Sequence, residues 1–178
     1  MCDKNNCFDR NSLSLIVAMD KNRVIGNNGS IPWDLPEDLK LFQKITKDKA
    51  VIMGRRTWES LPEQYRPLPE RSNIVITSQD EYKAPGAVVV GFAKDALSVP
   101  GSSSPTVVIG GAEIYSMFLP RVKIMYISHV EGEFEGDTRF PEVNWREWIM
   151  TFEREYNKED YPKNSHSFTF AVYERHCI

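Results

Sequence analysis

The sequence predicts an α/β protein of one domain: a central mixed, mostly parallel sheet of eight strands, about four flanking helices, and an antiparallel hairpin at the carboxyl-terminal edge. Three observations predict it. Short apolar runs alternate with segments of helical periodicity, the pattern of strands joined by crossover helices. Several runs are nearly continuous in apolar character, as in Leu15-Ile16-Val17-Ala18-Met19, which marks strands covered on both faces. The last third drops the alternation and offers two strand-like segments across a polar turn.

The first strand is Leu13–Met19. A long polar loop, residues 20–34, separates it from a helix over Pro36–Thr46, where Pro36 suits the first turn because no amide donor is needed there. Strands then fall on Ala50–Gly54 and on residues 73–77, 87–90, 106–109 and 123–130, with short helices at 57–61, 94–97 and 112–119. The closing hairpin comprises Trp148–Tyr156 and residues 167–176, joined by the polar turn 157–166. Residues 1–12 read as a polar tail that frays, leaving 13–178 as the folded domain. The segment Gly101-Ser102-Ser103-Ser104-Pro105 reads as a surface loop, because too little chain follows for another α/β unit.

A chain of 178 residues is large enough to bury a substantial core. Its net charge of -3 argues against a general nucleic-acid surface. The three cysteines, Cys2, Cys7 and Cys177, lie at the chain ends and form neither a disulfide framework nor a metal motif, so no metal is expected. Neither a signal-peptide core nor a window of about 18 apolar residues occurs, and a cytoplasmic protein is expected.

Two constellations carry chemistry. In the first helix, Leu35, Leu39, Phe42 and Thr46 recur at helical spacing, and Asp38 borders that face. An acid so placed is desolvated, its pKa rises, and it can supply a proton near neutral pH. First-turn acids also favour the helix dipole; Glu37 fits that role and is expected to face water. The second constellation repeats one pattern twice. Met53-Gly54-Arg55-Arg56-Thr57 and Ile109-Gly110-Gly111-Ala112-Glu113 each lead from an apolar strand through glycine into a helix. Amide groups at such a junction suit anions, and the arginines add charge. Neither matches GxGxxG or GxxxxGK[ST], so a standard dinucleotide fold and ATP hydrolysis are unsupported. Two such sites on one sheet suit a cofactor with several phosphates. The loop 20–34, with Gly26 and Gly29, is long enough to act as a lid.

From Leu13 to Arg175 the chain resembles the dihydrofolate reductase family. The motifs, in order, are Ser14-Leu15-Ile16-Val17-Ala18; Val24-Ile25-Gly26; Pro32-Trp33 with Asp38 and Phe42; Val51-Ile52-Met53-Gly54-Arg55 with Thr57-Trp58-Glu59-Ser60; Arg66-Pro67-Leu68-Pro69 with Arg71; Ile109-Gly110-Gly111 with Tyr115; and Glu135-Gly136-Asp137-Thr138 with Phe140-Pro141. The resemblance implies reduction of 7,8-dihydrofolate to tetrahydrofolate with hydride from NADPH. It implies that Asp38 bonds the amino group and N3 of the pteridine and promotes protonation at N5. Trp33 would hold an ordered water near that carboxylate. Ser128 would take the place of the family's threonine, keeping the hydroxyl that bonds the acid. Val17, Ala18, Leu39, Phe42, Ser60, Leu61, Leu68, Ile109 and Tyr115 would line the substrate pocket. Arg71 would pair with the glutamate α-carboxylate of the folate, a bidentate task.

On the cofactor side the resemblance places Gly54, Arg55, Arg56 and Thr57 at the phosphates, with Thr77 and Ser78 joining Arg55 at the 2′-phosphate. Ala18, Ile25 and Tyr115 would approach the nicotinamide. Gly26, Gly29, Ser30, Ile109, Gly110, Gly111, Ala112, Glu113 and Ile114 complete the cofactor set, and the Gly110-Gly111 peptide is cis in the family. Loop 20–34 would be the lid and Gly136-Asp137 its brace. The chain departs from relatives in its longer Pro62-Glu63-Gln64-Tyr65 segment and in Glu113. No fused thymidylate synthase domain is expected, and the resemblance implies a monomer that needs neither nucleic acid nor membrane. The alternatives are an NADPH-dependent pyrimidine reductase of riboflavin synthesis and a non-catalytic folate-binding protein. Pro32-Trp33 with Asp38, and the Arg71 site, argue against the first.

Overall fold

The computed structural model describes residues 13–99 and 105–176. In chain order the elements are β1 Leu13–Met19, β2 Val24–Gly26, α1 Pro36–Thr46, β3 Ala50–Gly54, α2 Arg55–Ser60, β4 Ser72–Ile76, β5 Val88–Val90, α3 Ala93–Ala96, β6 Thr106–Gly110, α4 Ala112–Phe118, β7 Ile124–Val130, β8 Thr138–Arg139, β9 Trp148–Tyr156 and β10 Phe168–Arg175. Single 3₁₀ turns cover Glu63–Tyr65 and Trp145–Glu147.

Eight strands form one sheet in the order β5-β4-β3-β6-β1-β7-β10-β9. The pairs from β5 through β7 are all parallel, and β10 pairs antiparallel with both β7 and β9. This is the mixed sheet with an edge hairpin that the sequence predicts. The predicted elements shift by one or two residues at most, except that a second sheet escapes prediction: β2 pairs antiparallel with β8. Two strands of three and two residues are too short to carry a periodic signal. The polar tail 1–12, all three cysteines and most of the 101–105 loop lie outside the described residues.

The centre of the sheet is dry because its strands are apolar on both faces. Ala50, Val51, Ile52 and Met53 of β3 are all fully buried. Alternation sorts them: Ala50 and Ile52 pack with Ile74, Ile76, Val108 and Met125, while Val51 and Met53 pack with Trp58, Leu68 and Val75 on the other face. A one-residue slip of register would exchange the two sets, so the packing fixes the register. A third cluster joins Trp33, Leu35, Val130, Tyr156, Phe168 and Phe170, and Leu41 and Ile45 of α1 pack on it. Each large side chain in these clusters contributes about 1.5–3 kcal/mol by leaving water.

Helix α1 departs from its predicted face at one position. Leu35 and Thr46 are buried and Phe42 packs with the Val51 cluster, but Leu39 is 56% exposed. The helix is wedged between two clusters, so Leu41 and Ile45 take the inner position that spacing assigns to Leu39. Glu37 also differs from expectation. Its side chain is only 22% exposed, and it pairs with Lys40 at 2.6 Å. The turn 157–166 folds against the start of α1, and Asn164 Oδ1 accepts the Glu37 amide at 3.2 Å.

Candidate active site

The parallel strands end side by side, and their last residues line up through the pairing. Ala18 of β1 stands opposite Ser128 of β7; Met53 of β3 stands opposite Gly110 of β6; Gly54 stands opposite Ile76 of β4. Ala18, Ser128, Gly54, Gly110 and the β4 exit at Thr77 and Ser78 therefore share the carboxyl-terminal rim of the sheet. That rim is where open α/β sheets bind ligands.

The acid, Asp38, sits beside this rim. The Ser128 hydroxyl donates to Asp38 Oδ1 at 2.5 Å, tying α1 to β7. Ser128 is 2% exposed, so the bond forms where water is scarce. Burial pushes the Asp38 carboxyl above its ordinary value, and the Ser128 bond opposes the shift without cancelling it. Trp33 is buried nearby in sequence and meets Phe134 edge-on, with centroids 4.9 Å apart. Leu35, which precedes α1, gives no side-chain cap, and Asn164 supplies one from the far end of the chain.

Arg71 is held at the other end of α1. Its Nε donates to Thr46 Oγ1 at 3.0 Å, and its terminal nitrogens donate to the carbonyls of Gln43 and Pro69. Phe42, Leu61, Leu68 and Ile109 belong to one apolar cluster, and Val17 is buried at the end of β1. Ser60 is exposed, and its hydroxyl donates to the Thr57 carbonyl at 2.7 Å.

The two glycine junctions are neighbours. A Cβ on Gly54 would come within 3.0 Å of Ile114 and 4.0 Å of the Gly111 amide; one on Gly111 would come within 3.4 Å of Thr57 Oγ1. Sequence reasoning gives Gly54 the task of admitting a phosphate. The structure adds a second reason, since α4 packs against the same spot. Gly110 has φ +115, a conformation that side chains avoid, and the Gly110-Gly111 peptide is cis. The Tyr115 ring lies 3.2 Å from where a Gly110 Cβ would be. Its hydroxyl donates to the Ile16 carbonyl at 2.7 Å, and burial, aided by the Asp38 charge, raises its pKa far above the ordinary value. Ala112 is half-buried, and Glu113 is exposed.

Arg55 pairs with Glu59 at 2.8 Å one helical turn on, and Arg56 is exposed. Thr77 Oγ1 accepts the Gln79 amide at 3.2 Å, and Ser78 is exposed. Within loop 20–34, Ile25 packs on the core and Gly26 pairs with Thr138. Asn27 and Ser30 then exchange backbone bonds of 2.8 and 3.0 Å around Asn28 and Gly29, both at positive φ. The 136–137 segment touches this loop: Asp137 Oδ2 accepts the Asn28 amide at 3.0 Å. Hydrogen bonds from Thr138 and Asn28 hold the Asp137 carboxyl below its ordinary range. Among the described residues no cluster of three or more potential ligands could hold a metal ion, and no helix is long and apolar enough to cross a membrane.

Sequence reasoning misses Asn164 and Phe134. A helix start preceded by leucine does signal that its cap comes from elsewhere, but not from where.

The comparisons with known proteins agree with this geometry. The dihydrofolate reductase family model matches residues 12–175. The chain is 40% identical over 163 residues to the dihydrofolate reductase of Bacillus subtilis (strain 168), covering 92% of this chain and 94% of that one. It is 41% identical over 145 residues to the Neisseria gonorrhoeae enzyme, covering 80% and 88%. Among solved structures, the Enterococcus faecalis dihydrofolate reductase complexed with NADP(H) and RAB-propyl superposes with a TM-score of 0.85 at 32% identity, covering 94% of this chain and 98% of that one. With a family match across nearly the whole described chain and an acid held beside the strand ends, this chain belongs to the dihydrofolate reductase family.

Proposed function

We propose that this chain reduces 7,8-dihydrofolate to tetrahydrofolate, with Asp38 promoting protonation at N5. The observation that supports this role most directly is the Asp38 carboxyl, bonded to buried Ser128 and raised above its ordinary value by burial. A raised carboxyl keeps a protonated fraction nearer neutral pH, as general acid work requires. The carboxyl also offers two oxygens to the pteridine amino group and N3, which orients the ring before reaction. Trp33 holds the water beside it. Phe42, Leu61, Leu68 and Ile109 exclude bulk solvent from the ring, with Val17, Ala18, Leu39 and Ser60 at its border. Arg71, already oriented by Thr46 and Gln43, receives the glutamate α-carboxylate.

NADPH, when bound, supplies the hydride that reduces C6. The residues present fit it. The adjoining glycine junctions carry no side chains of their own at Gly54, Gly110 and Gly111, and Arg55, Arg56, Thr57, Thr77 and Ser78 offer charge and hydroxyls for its phosphates. The related Enterococcus faecalis structure contains NADP(H). Gly26, Gly29, Ser30 and Ile25 close over the nicotinamide side, and Gly110, Gly111, Ala112, Ile114 and Tyr115 form its floor. Glu113 is exposed at the α4 start and carries charge of the wrong sign for a phosphate, so its contribution is limited to backbone contact.

The test is consumption of NADPH on addition of dihydrofolate, followed by loss of near-ultraviolet absorbance. Absence of turnover with an intact fold would refute the reading. The proposed working unit is a cytoplasmic monomer whose catalytic domain is 13–178. Sedimentation at the mass of one chain, and unchanged turnover after removal of residues 1–12, test those points.

A further inference from the structure

Asp20 directly follows β1 and is 2% exposed. Its carboxylate meets three backbone amides. Oδ1 accepts from Asn22 and Val24, each at 2.8 Å, and Oδ2 accepts from Phe134 at 3.0 Å. The first two bonds shape the turn that opens the lid. The third reaches 114 residues along the chain, to the segment that carries the brace. That segment is packed tightly. A Cβ on Gly136 would overlap Val24 and come within 2.7 Å of the Gly26 carbonyl. Lys21 and Glu133 form an ion pair at its start, and Asp137 takes the Asn28 amide at its end. The Phe134 ring meets Trp33 at 4.9 Å and His166 at 4.8 Å.

One buried acceptor thus joins the root of the lid, the root of the brace and, through Phe134, the tryptophan of the substrate side. A carboxylate is the side chain suited to this, because it presents acceptors on both oxygens and no donor. We propose that Asp20 is a positioning residue for the reaction: it sets the docking of residues 133–137 against the lid, and so the fraction of molecules closed over bound cofactor. This rests on the reading of 20–34 as a lid.

Asp20→Asn separates the roles. The amide oxygen can keep the Asn22 and Val24 bonds, while the amide nitrogen turns a donor toward the Phe134 N–H. The expected result is a fall in single-turnover hydride transfer on the order of tenfold, with the dihydrofolate KM nearly unchanged. Asp137→Ala is expected to act through the same docking, so the double variant loses little more than the worse single variant. A wild-type rate in Asp20→Asn, losses that multiply in the double variant, or a loss seen only in KM overturns the proposal. Should Asp20→Asn not be recovered folded, amide exchange on the unmodified chain decides. Phe134 must be protected to the level of Val24, and ready exchange at Phe134 overturns the proposal. An unmodified chain without turnover would instead refute the enzymatic reading, which keeps the two failures distinct.

Discussion

The proposed substrate side and the proposed cofactor side of the rim solve opposite problems. On the proposed substrate side Asp38 and Arg71 are already committed to partners within the chain. Asp38 receives the Ser128 hydroxyl, and Arg71 donates to Thr46, Gln43 and Pro69. On the proposed cofactor side Arg56, Ser78 and Glu113 are exposed, and Arg55 has an exposed partner, Glu59, on its own helix. The difference follows from the chemistry. Proton transfer needs a fixed orientation and a tuned pKa, and both require burial with defined partners. Phosphate binding needs charge and accessible amides rather than a buried, tuned group, and the proposed cofactor side offers exposed charge. Changes around Asp38 should therefore alter rate and pH dependence, a change at Arg71 should alter substrate affinity, and changes on the second side should alter cofactor affinity and its response to salt.

The largest expected effect is that of Asp38→Asn, which removes the carboxyl proposed to promote protonation. Turnover at neutral pH should fall at least about a hundredfold, with NADPH binding by fluorescence nearly intact. Full activity in that variant would break the comparison at its centre. Next is Arg71→Ala, which removes a charged pair remote from the reacting bond. The dihydrofolate KM should rise about tenfold or more, with a smaller change in kcat. Arg55→Ala should reduce the preference for NADPH over NADH about tenfold, measured as a ratio of kcat/KM; an unchanged ratio would move the 2′-phosphate site elsewhere.

Ser128→Ala sharpens the comparison through pH. The hydroxyl favours ionised Asp38, so its loss raises the carboxyl further. The protonated fraction, and the hydride-transfer rate with it, then begins to fall at higher pH than in the unmodified chain. A shift to lower pH would show that the hydroxyl acts otherwise. The same carboxyl has a stability consequence. Its folded pKa lies above the unfolded one, so the folded state binds the proton more tightly. Stability from this group is present at low pH and is lost as pH rises from the ordinary carboxylate value through the raised one. Asp38→Asn should therefore melt slightly higher than the unmodified chain at neutral pH, and slightly less so in acid. The smallest effect separates the two sides by salt. Raising ionic strength should weaken NADPH binding more than it raises the dihydrofolate KM, because exposed charges are screened most.

Much of the fold was legible because apolar patterning decides it. The β3 run Ala50–Gly54 and the β9 run Trp148–Tyr156 match their predicted limits. The candidate site was legible where one local motif marks it, as at Asp38 and the two glycine junctions, which the structure brings to one rim of the sheet. It was illegible where distant segments meet. Nothing near Leu35 points to Asn164, and nothing near Asp20 points to Phe134, since pairs separated by more than a hundred residues leave no periodic trace. Leu39 was misplaced for a related reason, because its spacing suits one apolar face and α1 contacts two clusters.

The pH dependence of single-turnover hydride transfer, measured for the unmodified chain and for Asp38→Asn, bears most directly on the role given to Asp38. The unmodified chain should show a rate that declines with rising pH through a pKa above the ordinary carboxylate value, and the variant should be slow and flat across that range. The same titration surviving in Asp38→Asn would assign the proton to another group.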